Sequence, residues 1–153
     1  MKVCIGGTFS PLHHGHKVLL RTACDVAGKK GLVYIGLTSD TMAKKKGAVA
    51  SYEQRKQAVE RFFADEKVTQ DIQIEPLSDR YGPTLHGDYD AIIVSEETKP
   101  VAEEINNKRR ERQKKPLQIV AIPLLLSDDK KPLSSTRIRR KEIDENGRVL
   151  HQK

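Results

Sequence analysis

The sequence predicts an α/β fold, a Rossmann-like open parallel sheet of five strands with helices on both faces. Two observations predict this fold class. Short apolar runs alternate along the chain with segments whose apolar residues recur at helical spacing. Strands separated by helices normally pair in parallel through right-handed crossovers. Because 153 residues is about the size of one compact domain, we expect a single domain over residues 1–153.

Each element is predicted from its own local pattern. The first helix begins at His14 and has Gly28 as its stop, while Ser51 and Gln54 form a capping box that opens the third helix. Strands are predicted over residues 2–6, 32–37, 72–77, 90–95 and 117–126. Helices are predicted over residues 14–27, from 40 to about 44, from 52 to about 65, over 96–113 and from 134 or 135 to about 142.

The charge balance favours anionic partners. Lys and Arg number 28 against 21 Asp and Glu, which gives a formal charge of +7. A basic surface attracts phosphorylated metabolites, nucleic acid or anionic lipid. No apolar run approaches the roughly 20 residues that cross a bilayer, and no signal region is present, so we expect a cytoplasmic protein without a membrane partner. Cys4 and Cys24 lie in apolar segments, which predicts buried thiols rather than a disulfide or redox pair.

The segment after the first strand is predicted to bind phosphate. In open α/β sheets, ligands sit beyond the carboxyl ends of the strands, where the strand order reverses. This rule gathers the residues after strands one, two, four and five around one crevice. Gly6 and Gly7 let backbone amides approach a ligand, and the following helix turns its positive dipole end to the same crevice. His13 and His16 are three residues apart, a spacing that can aim both imidazoles at one cluster of oxygens.

Other interpretations of this segment stay open. His13, His14 and His16 could ligate zinc, although adjacent histidines diverge and the segment holds no Cys, Asp or Glu to complete a site. The segment could also be a purely structural turn before a helix. A dinucleotide-binding fingerprint would need G-x-G-x-x-G, which is absent.

Two segments carry a resemblance to a known superfamily. Residues 6–16, G-G-T-F-S-P-L-H-H-G-H, resemble the T-x-x-H/T-x-G-H signature of the nucleotidyltransferases. Residues 134–139, S-S-T-R-I-R, resemble the second signature, S-S-T-x-I-R, and both occur in the proper order. The resemblance implies transfer of a nucleoside monophosphate from a triphosphate to a phosphate or carboxylate acceptor, with release of pyrophosphate.

Further stretches resemble one family within it, the phosphopantetheine adenylyltransferases of archaea and the equivalent domain of the eukaryotic coenzyme A synthase. These stretches are residues 52–55, 80–83, 94–98 and 105–106, followed by Arg109. The family resemblance implies that ATP and 4′-phosphopantetheine are the substrates and that dephospho-coenzyme A is formed. It also implies Mg²⁺ as cofactor, carried by the ATP phosphates without a metal site of protein side chains.

The resemblance assigns roles to individual residues. The implied catalytic residues are Thr8, His16, which would stabilise charge on the transferred phosphorus, and Lys44, the most plausible of three consecutive lysines to hold the acceptor phosphate. The implied ATP site comprises Gly7, Thr8, Phe9, His13, His16, Ser95, Glu96, Thr98, Ser134, Ser135, Thr136 and Arg137. The implied acceptor site comprises Thr8, Lys44, Tyr81 and Gly82.

Each of these residues also has a structural interpretation. Lys44 to Lys46 could be solvated charges, and Ser134 or Ser135 could simply cap a helix, as could Glu96 or Thr98. Tyr81-Gly82-Pro83 could only shape a turn. Asn106 and Arg109 are second-rank site candidates that could instead form a solvated helix face.

One departure and two alternative functions limit what the resemblance implies. The bacterial enzymes have an Arg-rich sequence after strand four where this chain has Ser-Glu-Glu-Thr, so the bacterial hexamer is not expected. A related transferase with another acceptor, such as nicotinamide mononucleotide or a phosphorylated alcohol, is the alternative enzyme. A basic nucleic-acid-binding protein is the alternative outside the enzymes, because the basic runs 108–115 and 137–141 would attract a polyanion. These runs lack interleaved aromatic residues, so no specific nucleic acid is expected.

Overall fold

The computed structural model describes residues 1–10, 12–45 and 50–123. Within them, strands and helices alternate as the sequence predicts. The elements are β1 (Lys2–Gly7), α1 (His14–Ala27), β2 (Leu32–Thr38), α2 (Asp40–Lys45), α3 (Tyr52–Glu66), β3 (Asp71–Leu77), a 3₁₀ helix (Gly82–Leu85), β4 (Ala91–Ser95), α4 (Lys99–Glu111) and β5 (Gln118–Ile122). The helix predicted from residue 134 or 135 lies outside the described residues.

The five strands form one parallel sheet in the order β3-β2-β1-β4-β5. The α/β prediction is therefore confirmed. The chain moves outward from β1 through β2 to β3, then returns to place β4 on the other side of β1. The strand order reverses between β1 and β4, and this is the position at which such sheets bind ligands.

Alternate side chains of the central strands point to opposite faces of the sheet and pack in two apolar cores. One core joins α1 and α3 to the strands, and the predicted core residues Val59, Phe62 and Phe63 of α3 are all buried in it. The other core packs α4 against the opposite face through Ala102 and Ile105. Each large aliphatic side chain buried in this way contributes about 1.5–3 kcal/mol, so both cores hold the strand ends in place.

Helix starts and ends follow their caps. Gly28 has a φ of 83° and follows the last residue of α1, as predicted. The Ser51 hydroxyl accepts from the Gln54 amide while the Gln54 side chain accepts from the Ser51 amide, which confirms the predicted capping box. Helix α4 begins at Lys99 rather than residue 96, because residues 95–98 form a turn and Pro100 fits only a first helical turn.

The cysteine prediction is confirmed. Cys4 and Cys24 are both free and buried, one in each core. Burial raises the pKa of the Cys4 thiol to about 12 and that of Cys24 to about 11, so both remain protonated at neutral pH. In the part of the chain that the structure describes, no helix is long and apolar enough to span a membrane.

Candidate functional site

The loop after β1 has a constrained backbone. Phe9 has a φ of 51°, in the left-handed region that costs a side-chain-bearing residue about 1–3 kcal/mol. This conformation lays the Phe9 ring against Gly7, where a Cβ atom would stand 3.0 Å from the ring carbon Cε2. A side chain at Gly7 would press against the Phe9 ring, and Thr8 lies between these two residues at the carboxyl end of β1.

His13 and His16 form a reciprocal capping box at the start of α1. The backbone N–H of His16 donates to Nδ1 of His13 over 3.2 Å, and the backbone N–H of His13 donates to Nδ1 of His16 over 3.3 Å. The rings stack with centroids 3.6 Å apart and planes at 15°. Because both Nδ1 atoms accept hydrogen bonds, these bonds assign the proton of each neutral ring to Nε2.

The electrostatic state of His13 follows from its surroundings. The side chain is 6% exposed, and burial, with the charge of nearby His14, lowers the pKa of His13 to about 4. His13 is therefore neutral at physiological pH. His16 is half-buried, and its ring meets the Phe9 ring edge-on at 4.9 Å between centroids. His14 is exposed, so it lies apart from the stacked pair, as the sequence predicts.

Thr8 belongs to a hydrogen-bond network with Thr38 and Arg55. The Thr38 hydroxyl donates to the Thr8 hydroxyl over 3.1 Å, and Arg55 donates to Thr38 over 3.0 Å and to the Thr8 carbonyl over 3.2 Å. Arg55 is 1% exposed. Sequence reasoning gave Arg55 no role, although it shares a helix face with the core residues Val59 and Phe62.

A cavity of about 390 Å³ opens on the α4 side of the sheet. It extends from the strand ends at Gly7 and Thr38 to the middle of the strands at Cys4, Tyr34 and Ile92. Gly7 lies three positions after Cys4 along β1, so the cavity is about 10 Å deep at ~3.3 Å per residue. Its walls are mostly apolar, which suits a flexible ligand with little charge.

A close backbone approach shapes this cavity. Leu77 at the end of β3 packs over Gly36 of β2, where a Cβ atom would stand 2.7 Å from Leu77 Cγ. The same side chain would meet a Cβ at Gly82 at 2.5 Å, and Gly82 has a φ of 56°. A side chain at Gly36 or Gly82 would therefore displace Leu77 from this position.

Tyr81 and Gly82 begin the 3₁₀ helix beside the cavity. The Asp79 carboxylate accepts the backbone N–H groups of Tyr81 and Gly82 over 2.9 and 2.8 Å, and these bonds lower the pKa of Asp79. The Tyr81 hydroxyl donates to Glu104, and this bond raises the Tyr81 pKa, so the phenol stays protonated. Tyr81 lines the cavity together with Arg80, whereas Gly82 serves the turn.

The segment after β4 is a turn that is closed by hydrogen bonds between Ser95 and Thr98. The Ser95 amide donates to the Thr98 hydroxyl over 3.0 Å, and the Thr98 amide donates to the Ser95 carbonyl over 3.1 Å. Thr98 occupies the cap position of α4 but makes no side-chain capping bond there. Thr98 also lines the cavity, whereas Glu96 is exposed.

The remaining predicted residues divide into two groups. Lys44 lies exposed in the last turn of α2, and Met42 of the same helix lines the cavity. Lys46, Ser134, Ser135, Thr136 and Arg137 lie outside the described residues. The structure thus brings together the ends of β1, β2 and β4, the start of α1 and the 3₁₀ helix.

No three His, Cys, Asp or Glu side chains of residues 1–10, 12–45 and 50–123 are grouped so that they could hold a metal ion. His13, His14 and His16 accordingly form no zinc site with carboxylates or thiols of that part of the chain. The tautomers assigned above instead leave an Nε2–H group on each ring, at the start of a helix. Hydrogen-bond donors at a helix N-terminus favour an anion over a cation.

Comparisons with known proteins show the family to which this chain belongs. The model of the Cytidylyltransferase-like family matches residues 4–141. The phosphopantetheine adenylyltransferase of Methanosarcina mazei is 45% identical over 149 residues, which cover 97% of this chain and 96% of that protein. The chain belongs to the phosphopantetheine adenylyltransferase family.

A further member of the phosphopantetheine adenylyltransferase family and one solved structure are also similar to this chain. The family member of Methanopyrus kandleri is 46% identical over 147 residues, covering 94% of this chain and 91% of that protein. A crystal structure of a protein of unknown function from Archaeoglobus fulgidus superposes with a TM-score of 0.73. It is 38% identical and covers 80% of this chain and 89% of that one.

Asn106 and Arg109, within the stretches that resemble the phosphopantetheine adenylyltransferases, have structural roles. Asn106 exchanges hydrogen bonds with the backbone of Leu117 over 2.9 and 2.7 Å. Arg109 donates to the carbonyls of Lys115, Thr84 and Gly87. Both side chains are buried, so the alternative of a solvated helix face is wrong. Asn106 and Arg109 share one face of α4 with Ala102 and Ile105, and this helical spacing in the sequence could have predicted their burial.

Proposed function

We propose that this chain transfers the adenylyl group of ATP to 4′-phosphopantetheine, forming dephospho-coenzyme A and pyrophosphate in coenzyme A biosynthesis. The observation that carries the proposal is 45% identity to a phosphopantetheine adenylyltransferase over nearly the full length of both chains. The cavity supports this acceptor, because 4′-phosphopantetheine joins a phosphate to a long arm without charge.

The reaction is a displacement at the α-phosphorus of ATP. An oxygen of the acceptor phosphate forms the new bond, the bond to the oxygen that bridges the α- and β-phosphates breaks, and pyrophosphate leaves with that electron pair. Both reactants are anions, so catalysis depends on alignment and on donors placed where charge develops. No covalent enzyme intermediate is needed.

We propose that His16 stabilises this developing charge. Its Nδ1 accepts from the His13 backbone, so Nε2–H is the donor toward a non-bridging oxygen of the α-phosphate. The α1 dipole adds to the attraction, and the first turn of α1 contains no acidic residue that would oppose it. The neutral His13 ring stacks against His16 and holds its orientation.

Thr8 and Lys44 are the proposed holders of the acceptor phosphate. Thr8 lies at the carboxyl end of β1, and Lys44 projects from the helix that follows the neighbouring strand β2. The arm of the acceptor would then enter the cavity past Tyr81. Ser95, Glu96 and Thr98 lie after β4, on the other side of the strand reversal, where we propose that the nucleotide binds. The resemblance also assigns Ser134, Ser135, Thr136 and Arg137 to the nucleotide, and these residues lie outside the described part of the chain.

We propose that Mg²⁺ enters with ATP and is held by phosphate oxygens and water. Such an ion neutralises adjacent phosphate charges. We also place the reaction in the cytoplasm, because two buried free thiols suit a reducing compartment.

Pyrophosphate release tests the proposed function. We expect release, together with dephospho-coenzyme A, from ATP and 4′-phosphopantetheine in the presence of Mg²⁺. Pantetheine should be inert because it lacks the phosphate nucleophile, and nicotinamide mononucleotide should support no turnover. Turnover with nicotinamide mononucleotide and none with 4′-phosphopantetheine would overturn the acceptor. Sequence-selective DNA or RNA binding without pyrophosphate release would favour the nucleic-acid alternative.

A further inference from the structure

Arg55 is a buried cation at the junction of three segments. It lies in the first turn of α3 and is 1% exposed. Its Nε donates to the Ala50 carbonyl over 3.1 Å, and Nη1 donates to the Thr8 carbonyl over 3.2 Å and to the Thr38 hydroxyl over 3.0 Å. The rigid guanidinium fork therefore fixes α3 against the loop after β1 and the end of β2.

The acidic partner of Arg55 balances little of its charge. Asp40 Oδ1 is 3.5 Å from Nη2, and the Asp40 side chain is 59% exposed to solvent. The closer acceptors are neutral oxygens, two carbonyls and one hydroxyl. A buried cation normally needs close pairing, so Arg55 leaves positive potential beside Thr8 that an anionic ligand can use.

The hydrogen bonds from Arg55 also give the Thr8 hydroxyl a direction. Thr38 Oγ1 accepts from Arg55 Nη1 and donates to Thr8 Oγ1 over 3.1 Å. Thr8 Oγ1 is thus the acceptor in this relay, and its own proton is directed away from Thr38. Thr8 is half-buried at the end of β1, whereas Thr38 is 1% exposed and is closed off from solvent.

A second branch reaches the helix that carries Lys44. Asp40 begins α2, and its Oδ1 accepts both Arg55 Nη2 and the backbone N–H of Tyr52, the latter over 2.7 Å. Lys44 lies four residues after Asp40, one helical turn along α2. One guanidinium therefore connects the loop of Thr8 to the helix of Lys44.

We propose that Arg55 is a positioning residue for phosphate binding. It orients the Thr8 hydroxyl through Thr38 as a donor toward the ligand phosphate, and it supplies positive charge behind that hydroxyl. This inference rests on the proposed function in assigning a phosphate to Thr8.

A double-mutant cycle tests this role by ligand binding. Thr38→Val keeps the side-chain shape but breaks the relay, and Arg55→Lys keeps the charge but loses the fork. We expect Thr38→Val to weaken 4′-phosphopantetheine or ATP binding about tenfold in titration calorimetry, equivalent to about 1.4 kcal/mol. In a Thr8→Val background, Thr38→Val should have little further effect, because the Thr8 hydroxyl that Thr38 orients is already absent. Arg55→Lys should behave like Thr38→Val.

Thr22→Val is the matched control, because its hydroxyl donates only to the Val18 carbonyl within α1 over 2.8 Å. We expect its dissociation constants to equal those of the wild type. The proposal would be overturned if Thr38→Val left ligand affinity unchanged. It would also be overturned if Thr38→Val weakened ligand binding equally in the wild-type and Thr8→Val backgrounds. If Arg55→Lys lowers the melting temperature too far for measurement, the Thr38→Val cycle decides. A wild-type chain that binds ATP but releases no pyrophosphate would contradict the proposed function. The binding data of the double-mutant cycle could still be interpreted in that case.

Discussion

At the scale of single residues, the proton of each imidazole at the start of α1 is placed by the backbone. His13 and His16 each accept the other's amide N–H at Nδ1, and their rings stack at 3.6 Å. A histidine held in this way keeps one tautomer and one orientation without a carboxylate partner. Preorganised donors contribute most to catalysis where negative charge develops, which gives His16 its proposed role.

His16→Ala should therefore lose turnover more than ATP affinity. Removing one preorganised donor costs about 10²–10³ in kcat, and we expect a loss of that size, with the dissociation constant of ATP changed by less than about tenfold. Half of the capping box is also lost, so a decrease in stability of about 1 kcal/mol is expected. Steady-state kinetics and calorimetry on the same preparation measure both effects.

His14→Ala is the control for that comparison, because His14 is exposed and lies outside the stacked pair. Its turnover should remain close to that of the wild type. Loss of ATP binding in His16→Ala with unchanged single-turnover chemistry at saturating ATP would make His16 a ground-state anchor and contradict the mechanism.

The sequence indicates some of the proposed site residues and gives no indication of others, for a physical reason. Thr8 and His16 stand out because a glycine turn before a helix is a local pattern. Arg55 does not, because a charged residue on an amphipathic helix is ordinarily solvated. Its burial depends on Thr8 and Thr38, which are 47 and 17 residues away along the chain.

At the scale of elements, the cap of α1 couples stability to pH. In the folded chain the pKa of His13 is lowered to about 4, from the ordinary histidine value of 6.5. Above pH 6.5, His13 is neutral in both the folded and the unfolded chain. As the pH falls from 6.5 toward 4, the unfolded chain binds a proton that the folded chain excludes, so stability decreases.

We expect this effect to cost about 2 kcal/mol between pH 7 and pH 5. Chemical denaturation at both pH values measures it. His13→Asn is the matched variant, since asparagine is also a good N-cap but does not titrate in this range. The variant should lose less stability than the wild type over the same interval. Identical losses in both proteins would show that His13 titrates normally in the folded state.

Element boundaries were predictable where a local cap decides them. Ser51 and Gln54 cap α3, and Gly28 follows α1, because side-chain caps and positive φ angles are properties of a few adjacent residues. The sequence predicts a helix from residue 96 because Glu96 and Glu97 are good helix formers, but these residues lie in a turn. Hydrogen bonds between Ser95 and Thr98 close that turn before α4 begins.

At the scale of the whole molecule, the site depends on the strand order. The reversal between β1 and β4 places the loop of Thr8 between Thr38 of β2 and the turn that begins at Ser95 of β4. The alternation of strands and helices predicts such a crevice but not the apolar cavity beside it. The cavity depends on a contact between Leu77 and Gly36, which no local pattern reveals.

A crystal structure of the complex with dephospho-coenzyme A tests the central claim most directly, because this product contains both the transferred phosphate and the acceptor arm. We expect its pyrophosphate linkage within hydrogen-bond distance of His16 Nε2 and Thr8 Oγ1. We expect its arm in the cavity between Tyr34, Ile92 and Ile105. A linkage bound away from the start of α1, or an arm lying outside an unchanged cavity, would contradict the account.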